Sequence, residues 1–347
     1  MEDSPCIFVS YLRVYASPCL RLSRRCLGPL AILLFTAISS LGQTVEVGDT
    51  IRIDSDLVNL QVSVLSHDSS KPPNFLQQRD FQIIDEGVPQ EIKFFAAADA
   101  PFDLILLLDL SGSTANKLKL IRSSAKRFVD ACRPADRIAV LTFAEDLEVV
   151  SPLTSDHKSL KKNIDDIERL TDGTKFWDAL RFAFKKVVNA SDTSRRTAIV
   201  VMTDGIDNAL PLVPGEGSTT TFEELVDSAQ RSDAIVFPVY LDTEKEEVKK
   251  RHAPPSAYAS ARAQLAQLAE ISGTVVRKAE RLSDLDSVYD QIIKDLGTVY
   301  SLGYRPGNLT RDGKWHKVRV NLIDCPDLTA RTRSGYYAAS LSSEAPK

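Results

Sequence analysis

Asp109, Ser111 and Ser113 occupy alternate positions in the stretch LLLDLSGST, residues 106–114. Alternate positions of an extended chain share a face, so a carboxylate and two hydroxyls are delivered together. Two later stretches carry matching groups: Thr174 in LTDGTKFWDAL and Asp204 in VVMTDGID. Two carboxylates and three hydroxyls form a set of hard oxygen donors without imidazole or thiolate. Such a set suits Mg2+, or Mn2+, which favour octahedral oxygen coordination. Zinc is disfavoured, because His67, His157, His252 and His316 are scattered along the chain. Each residue also has an ordinary role open to it. Asp109 and the serines suit a helix start, and Thr174 and Asp204 stand in turn-forming surroundings. Turn residues acting independently have no reason to converge on one sheet edge.

The elements around these residues can bring them together. FDLILLLDL is continuously apolar, as a parallel strand buried on both faces must be. Leu118, Ile121, Ala125, Phe128, Val129 and Cys132 follow helical spacing. Strands then alternate with helices: RIAVLTFA, an edge-like LEVVSPL, helices over 155–169 and from Phe176 to Ala190, TAIVVMTDG, a helix near 222–232, AIVFPVYLD, a helix over 258–271, TVVRKA and a last helix over 282–296. The fold class expected is α/β, a doubly wound, mostly parallel sheet with right-handed crossovers. Ligands of such sheets bind at the carboxyl ends of the strands, and Asp109 and Asp204 each end a predicted strand.

In order and spacing, DLSGST, DGT and TDG resemble the metal-ion-dependent adhesion site of von Willebrand factor type A domains, over roughly 101–298. The resemblance implies a Rossmann-like domain. It also implies direct ligation by Ser111 and Ser113, ligation by Thr174 directly or through water, and ligation by Asp109 and Asp204 largely through water. Neutral hydroxyl ligands leave an ion electrophilic, so the resemblance implies that an Asp or Glu carboxylate of a protein partner completes the shell. Asp178 is expected to anchor its loop by hydrogen bonds near a helix start rather than touch the ion, with a plain helix cap as the alternative; Asp207, beside Asn208, reads first as a solvated turn, with support of the ion's ligands as the alternative. Trp177 reads as core. DFQIIDEGVPQEIKFF and YSLGYRP…RSGYY look like the flanks of secreted bacterial proteins carrying a related type A domain.

Those flanks, 46–100 and 299–340, alternate apolar and polar residues and are expected to pack as one small β unit. The first 42 residues read as a signal peptide, with Arg13, Arg21, Arg24 and Arg25 ahead of an apolar run too short to span a membrane comfortably. An uncleaved anchor is the alternative and the one route to a membrane. Cleavage takes away four arginines and two acids, moving the net charge from −4 to −6; this excludes a general nucleic-acid binder. Of five cysteines only Cys132 and Cys325 then remain, and Cys132, on an apolar helix face, reads as a buried free thiol rather than a bridge. The insert NALPLVPGEGSTTT reads as partner-contacting, EKEEVKKRHAPP as a solvated mobile face, and 341–347 as a disordered tail.

The function expected is a secreted or cell-envelope module that binds a protein through a divalent ion. The alternative is an assembly scaffold with a structural ion. A hydrolase is disfavoured. An aspartyl phosphatase would need a second aspartate where Ser111 stands, and there is neither a Gly-x-Ser-x-Gly elbow nor a phosphate loop.

Overall fold

The computed structural model describes residues 57–66, 76–114, 117–168, 173–189, 195–250, 252–307 and 312–338. The expected signal segment and C-terminal tail lie outside the described residues, as does most of the first flank's start. Among the described residues no helix is long and apolar enough to cross a membrane.

In chain order the first flank holds β1 (Val58–Ser66), β2 (Phe81–Asp85), β3 (Val88–Gln90) and β4 (Ile92–Ala96). The alternating region holds β5 (Phe102–Asp109), α1 (Leu118–Ala131), β6 (Arg137–Phe143), β7 (Leu147–Thr154), α2 (His157–Asp165), α3 (Phe176–Asn189) and β8 (Arg196–Thr203). It continues with α4 (Phe222–Arg231), β9 (Ile235–Leu241), α5 (Glu244–Lys250), α6 (Pro255–Ile271), β10 (Arg277–Ala279) and α7 (Leu285–Leu296). The second flank holds β11 (Val299–Tyr304), β12 (Trp315–Leu322), β13 (Leu328–Arg331) and β14 (Gly335–Tyr337).

The central sheet runs β10-β9-β8-β5-β6-β7, parallel except for β7, which pairs antiparallel with β6 at the edge. Every residue of β5 is buried. Leu104, Leu106 and Leu108 face the layer of α1, α2 and α7, while Ile105 and Leu107 face α3, α4 and α6. Both faces are therefore covered, which is why the β5 sequence lacks polar alternation. From β5 the chain winds first to β6 and later returns on the other side to β8, so the winding reverses at β5 and opens a crevice at the carboxyl ends of β5 and β8.

The flanks interleave. β1 pairs antiparallel with β11, from Val58 opposite Tyr304 to Ser63 opposite Val299, and β2 pairs with β12, from Asp85 opposite Val318 to Phe81 opposite Leu322. Two antiparallel sheets result, β13-β1-β11-β4 and β14-β12-β2-β3. They share a core that includes Leu60, Val62, Ile83, Leu302 and Val320, with Phe81 and Tyr300 rings 5.1 Å apart. Neither flank could bury this surface alone, since each contributes strands to both sheets.

Arg196, 2% exposed, fastens the two regions together. Its guanidinium lies 4.0 Å over the Phe102 ring. It donates to the carbonyls of Ala98 and Ala100, where the chain enters the α/β region, and of Val299, where it leaves. Cys132 and Cys325 are free, and Cys132 is buried, with its thiol pushed upward in pKa mainly by that burial. The charge run 244–255 is largely the solvated face expected, with Lys245, Glu246, Lys249 and Lys250 exposed, but one of its acids is not. The run forms α5, and Glu247 is 3% exposed, pairing with Lys250 at 2.7 Å and His252 at 2.8 Å.

Candidate metal centre

β5 ends on Asp109 and β8 ends one residue before Asp204, so the crevice between adjacent parallel strands receives both carboxylates. Asp109 is 0% exposed and Asp204 2%. Asp109 Oδ1 accepts from the Ser111 backbone N–H at 3.0 Å, and its Oδ2 accepts from the Thr203 hydroxyl at 2.6 Å. Asp204 Oδ1 accepts from the Ile206 N–H at 3.1 Å, and its Oδ2 accepts from the Thr243 hydroxyl at 2.7 Å. The Ser113 side chain comes close enough to Asp204 across the two strand ends to oppose the rise of its pKa. Ser113 Oγ lies 3.4 Å from that of Ser111. The Thr114 hydroxyl donates to the carbonyls of Asp109 and Ser111, closing the turn that follows β5.

Gly205 makes the equivalent turn after β8 possible. Its φ is +77°, and a Cβ there would lie 2.9 Å from Leu265 Cδ1 on α6, so both backbone conformation and space call for glycine.

Thr174 is buried, and its loop is fixed from two sides. The Lys175 N–H donates to the Ala144 carbonyl beyond β6 at 2.8 Å, and the Asn208 N–H donates to the Thr174 carbonyl at 3.0 Å. Thr174 is thus tied to the segment that follows Asp204.

Burial, and then the charge of Asp204, push the Asp109 carboxyl up to about 7. Burial likewise raises Asp204, with the hydrogen bond from Thr243 and the nearby Ser113 side chain opposing it. Among the described residues neither carboxylate makes an ion pair. Two like charges buried together without a cation are unfavourable, and each tends to keep its proton.

Asp207 is a correction to the solvated turn expected as one reading. It is 0% exposed and accepts from the N–H groups of Trp177, Ala209 and Ser218 and from the Ser218 hydroxyl, at 2.6 to 3.0 Å. Asp178 accepts from the N–H groups of Thr219 and Thr220 at 2.9 and 2.8 Å. These two carboxylates clamp the insert 208–221 onto the start of α3, and they share no hydrogen bond with Asp109 or Asp204. Trp177 is core, packed against Phe222. Replacing Asp207 with alanine leaves four donors without their acceptor, the Trp177 N–H buried and the other three partly buried. We expect a loss of about 2–3 kcal/mol, measured as a lower urea midpoint at unchanged slope.

Sequence reasoning did not find Thr203 and Thr243, which orient the two acidic residues. Thr203 had a signal, since it immediately precedes Asp204 at the same strand end. Thr243 comes from beyond β9, 39 positions from Asp204, and had none.

A family model described as von Willebrand factor type A domain matches residues 103–291. An uncharacterized protein of Borreliella burgdorferi is 28% identical over 116 residues, covering 31% of this chain and 33% of the relative, so the chain spans about a third of that curated relative's length. Among solved structures, the conserved hypothetical protein BatB from Bacteroides thetaiotaomicron is similar at 18% identity and a TM-score of 0.42, covering 56% of this chain and 98% of that one. The vWF domain of the type V pili tip protein Mfa5 from Porphyromonas gingivalis is similar at 15% identity and a TM-score of 0.43, covering 56% and 94%.

Proposed function

Because the chain belongs to the von Willebrand factor type A domain family, we propose that the rim formed by Asp109, Ser111, Ser113, Thr174 and Asp204 holds a divalent cation, Mg2+ or Mn2+, and that the bound ion takes an Asp or Glu carboxylate from a protein partner. The observation that carries this reading is the pair of buried aspartates at one crevice, held by neutral donors and without a counter-charge among the described residues. A divalent cation removes their repulsion and finds hydroxyl and carboxylate oxygens of the right hardness. The role is a binding module rather than a catalyst. A secreted or cell-envelope location fits both that role and the charged, short-apolar N-terminal segment.

The test is retention of protein on an immobilised array of Asp- and Glu-bearing peptides in Mg2+. Retention is expected to be abolished by EDTA and by Asp109→Ala, and restored to the EDTA-treated wild type by fresh Mg2+. Retention indifferent to EDTA and to the substitution would remove the reading. A scaffold with a purely structural ion predicts instead that Mg2+ raises the melting temperature while no acidic peptide is retained.

A further inference from the structure

A second group of ligand-type side chains lies in the β unit, on elements distant in sequence. Asp85 ends β2, Glu86 begins the turn into β3, and His316 lies on β12, which pairs with β2. One donor atom from each of the three falls within 4.8 Å of the other two. Asp85 is 5% exposed. Its Oδ2 accepts from the hydroxyls of Tyr304 and Tyr336, each at 2.9 Å. Its Oδ1 is buried and has no hydrogen-bond partner. A buried carboxylate oxygen without a donor is costly unless something electropositive reaches it.

The neighbours are poised in a consistent way. Glu86 is held at φ 47°, and its Oε1 accepts from the Lys317 N–H at 2.6 Å, its one side-chain hydrogen bond among the described residues. The His316 ring stacks on Tyr336 with centroids 5.6 Å apart, and its Nε2 lies 3.3 Å from Asp312 Oδ1. A proton on Nε2, donated to that carboxylate, leaves the Nδ1 lone pair available, the arrangement by which an outer carboxylate orients a ligating histidine. Among the described residues neither Asp85 nor Glu86 makes an ion pair.

We propose that Asp85, Glu86 and His316 form a second metal site, distinct from the rim of the central sheet, for a divalent ion of borderline character such as Zn2+. An imidazole with two carboxylates favours such an ion over Mg2+. Three protein ligands leave a fourth position to solvent. Ligand atoms about 2.0–2.2 Å from zinc stand closer together than 4.8 Å, so binding draws the cluster inward, and the exposed Glu86 turn can supply that movement. Asp85 and Glu86 belong to the first flank and His316 to the second, so the ion braces the pairing of β2 with β12.

Calorimetric titration of Zn2+ into the full chain carrying Asp109→Asn, in excess Mg2+, isolates this site from the rim. One equivalent is expected to bind and to raise the melting temperature. Adding His316→Phe, which keeps the ring stacked on Tyr336, is expected to weaken uptake by about 10–100-fold or more. Absence of saturable uptake, or a loss smaller than tenfold in His316→Phe, overturns the proposal. Should that variant fail to fold, Glu86→Gln on the exposed turn, which retains an acceptor for Lys317, is read by the same criterion. Should Asp109→Asn fail to fold, the titration is run on the wild type with the rim saturated by Mg2+.

Discussion

Asp109→Asn is expected to make the metal-free protein more stable at pH 8 than the metal-free wild type, while removing the stabilisation that Mg2+ gives the wild type. The introduced amide is an isostere. Its oxygen can accept from the Ser111 N–H and its NH2 can donate to Thr203 Oγ1, so the two hydrogen bonds of Asp109 survive in kind. What disappears is one charge of a buried like-charged pair. The sign follows from the raised pKa of Asp109, from 3.8 to about 7. Below pH 4 the carboxyl is protonated in both folded and unfolded chains and costs nothing. Between about 4 and 7 the unfolded chain releases the proton while the folded chain keeps it, so metal-free stability falls as pH rises and the full penalty is present above 7. At about 1.4 kcal/mol per pH unit the penalty reaches up to about 4 kcal/mol. Saturating Mg2+ reverses it in the wild type, by about 2.7 kcal/mol at a free concentration a hundred times the dissociation constant. Urea unfolding of both proteins at pH 5 and pH 8, with Mg2+ and with EDTA, gives the comparison. A metal-free variant less stable than the wild type at pH 8 would show that the aspartates do not repel one another as the buried pair implies.

The second large effect is expected at Arg196. Arg196→Met keeps an unbranched apolar stem against Phe102 but strips donors from the carbonyls of Ala100 and Val299, while the Ala98 carbonyl keeps the Arg133 guanidinium at 3.1 Å. Leaving buried acceptors unpaired costs about 1–3 kcal/mol each, reduced by whatever water enters. We expect a net loss of about 3–5 kcal/mol and a fall in melting temperature on the order of 10 °C. Because those carbonyls lie where the flanks join the α/β region, limited proteolysis of the variant is expected to cut near residues 98–101 and 297–299 well before the central sheet. Uniform resistance matching the wild type would mean that the clamp is redundant with strand pairing.

The parts of this structure legible in the chain are those written locally. An unbroken apolar run can only be a strand covered on both faces, and β5 is one. The oxygens after it were legible as a group, but they gather by a turn rather than by strand alternation, since β5 stops at Asp109 and residues 111–114 fold back through the Thr114 hydrogen bonds. That Asp109 and Asp204 each end a strand was legible from the pattern, whereas the reversal of winding between β5 and β8 is seen only in the order of the folded sheet. What stayed hidden depends on which distant segments meet. Thr243 supports Asp204 from the far end of β9, and nothing in LDT distinguishes that threonine from a turn residue. Asp207 looked like a solvated turn because its four donors come from the start of α3 and from the insert, neither of which advertises itself in IDNA. The run EKEEVKK is solvated as it reads except at Glu247, and composition cannot show which one of its acids turns inward to meet His252. Apart from Asp312 four positions before it, the carboxylates near His316 are Asp85 and Glu86, far upstream and brought near only by the antiparallel register of β2 and β12.

Only Gly297 and Thr298 separate the end of α7 from the first residue of β11, and β11 lies between β1 and β4. The Thr298 hydroxyl donates to the Asp295 carbonyl at 2.8 Å, drawing the splice tighter still. A helix coupled to an interior strand with so little slack has no freedom to slide along its axis by itself. Any displacement of α7 therefore has to carry β11 with it, against its pairing to β1 and β4.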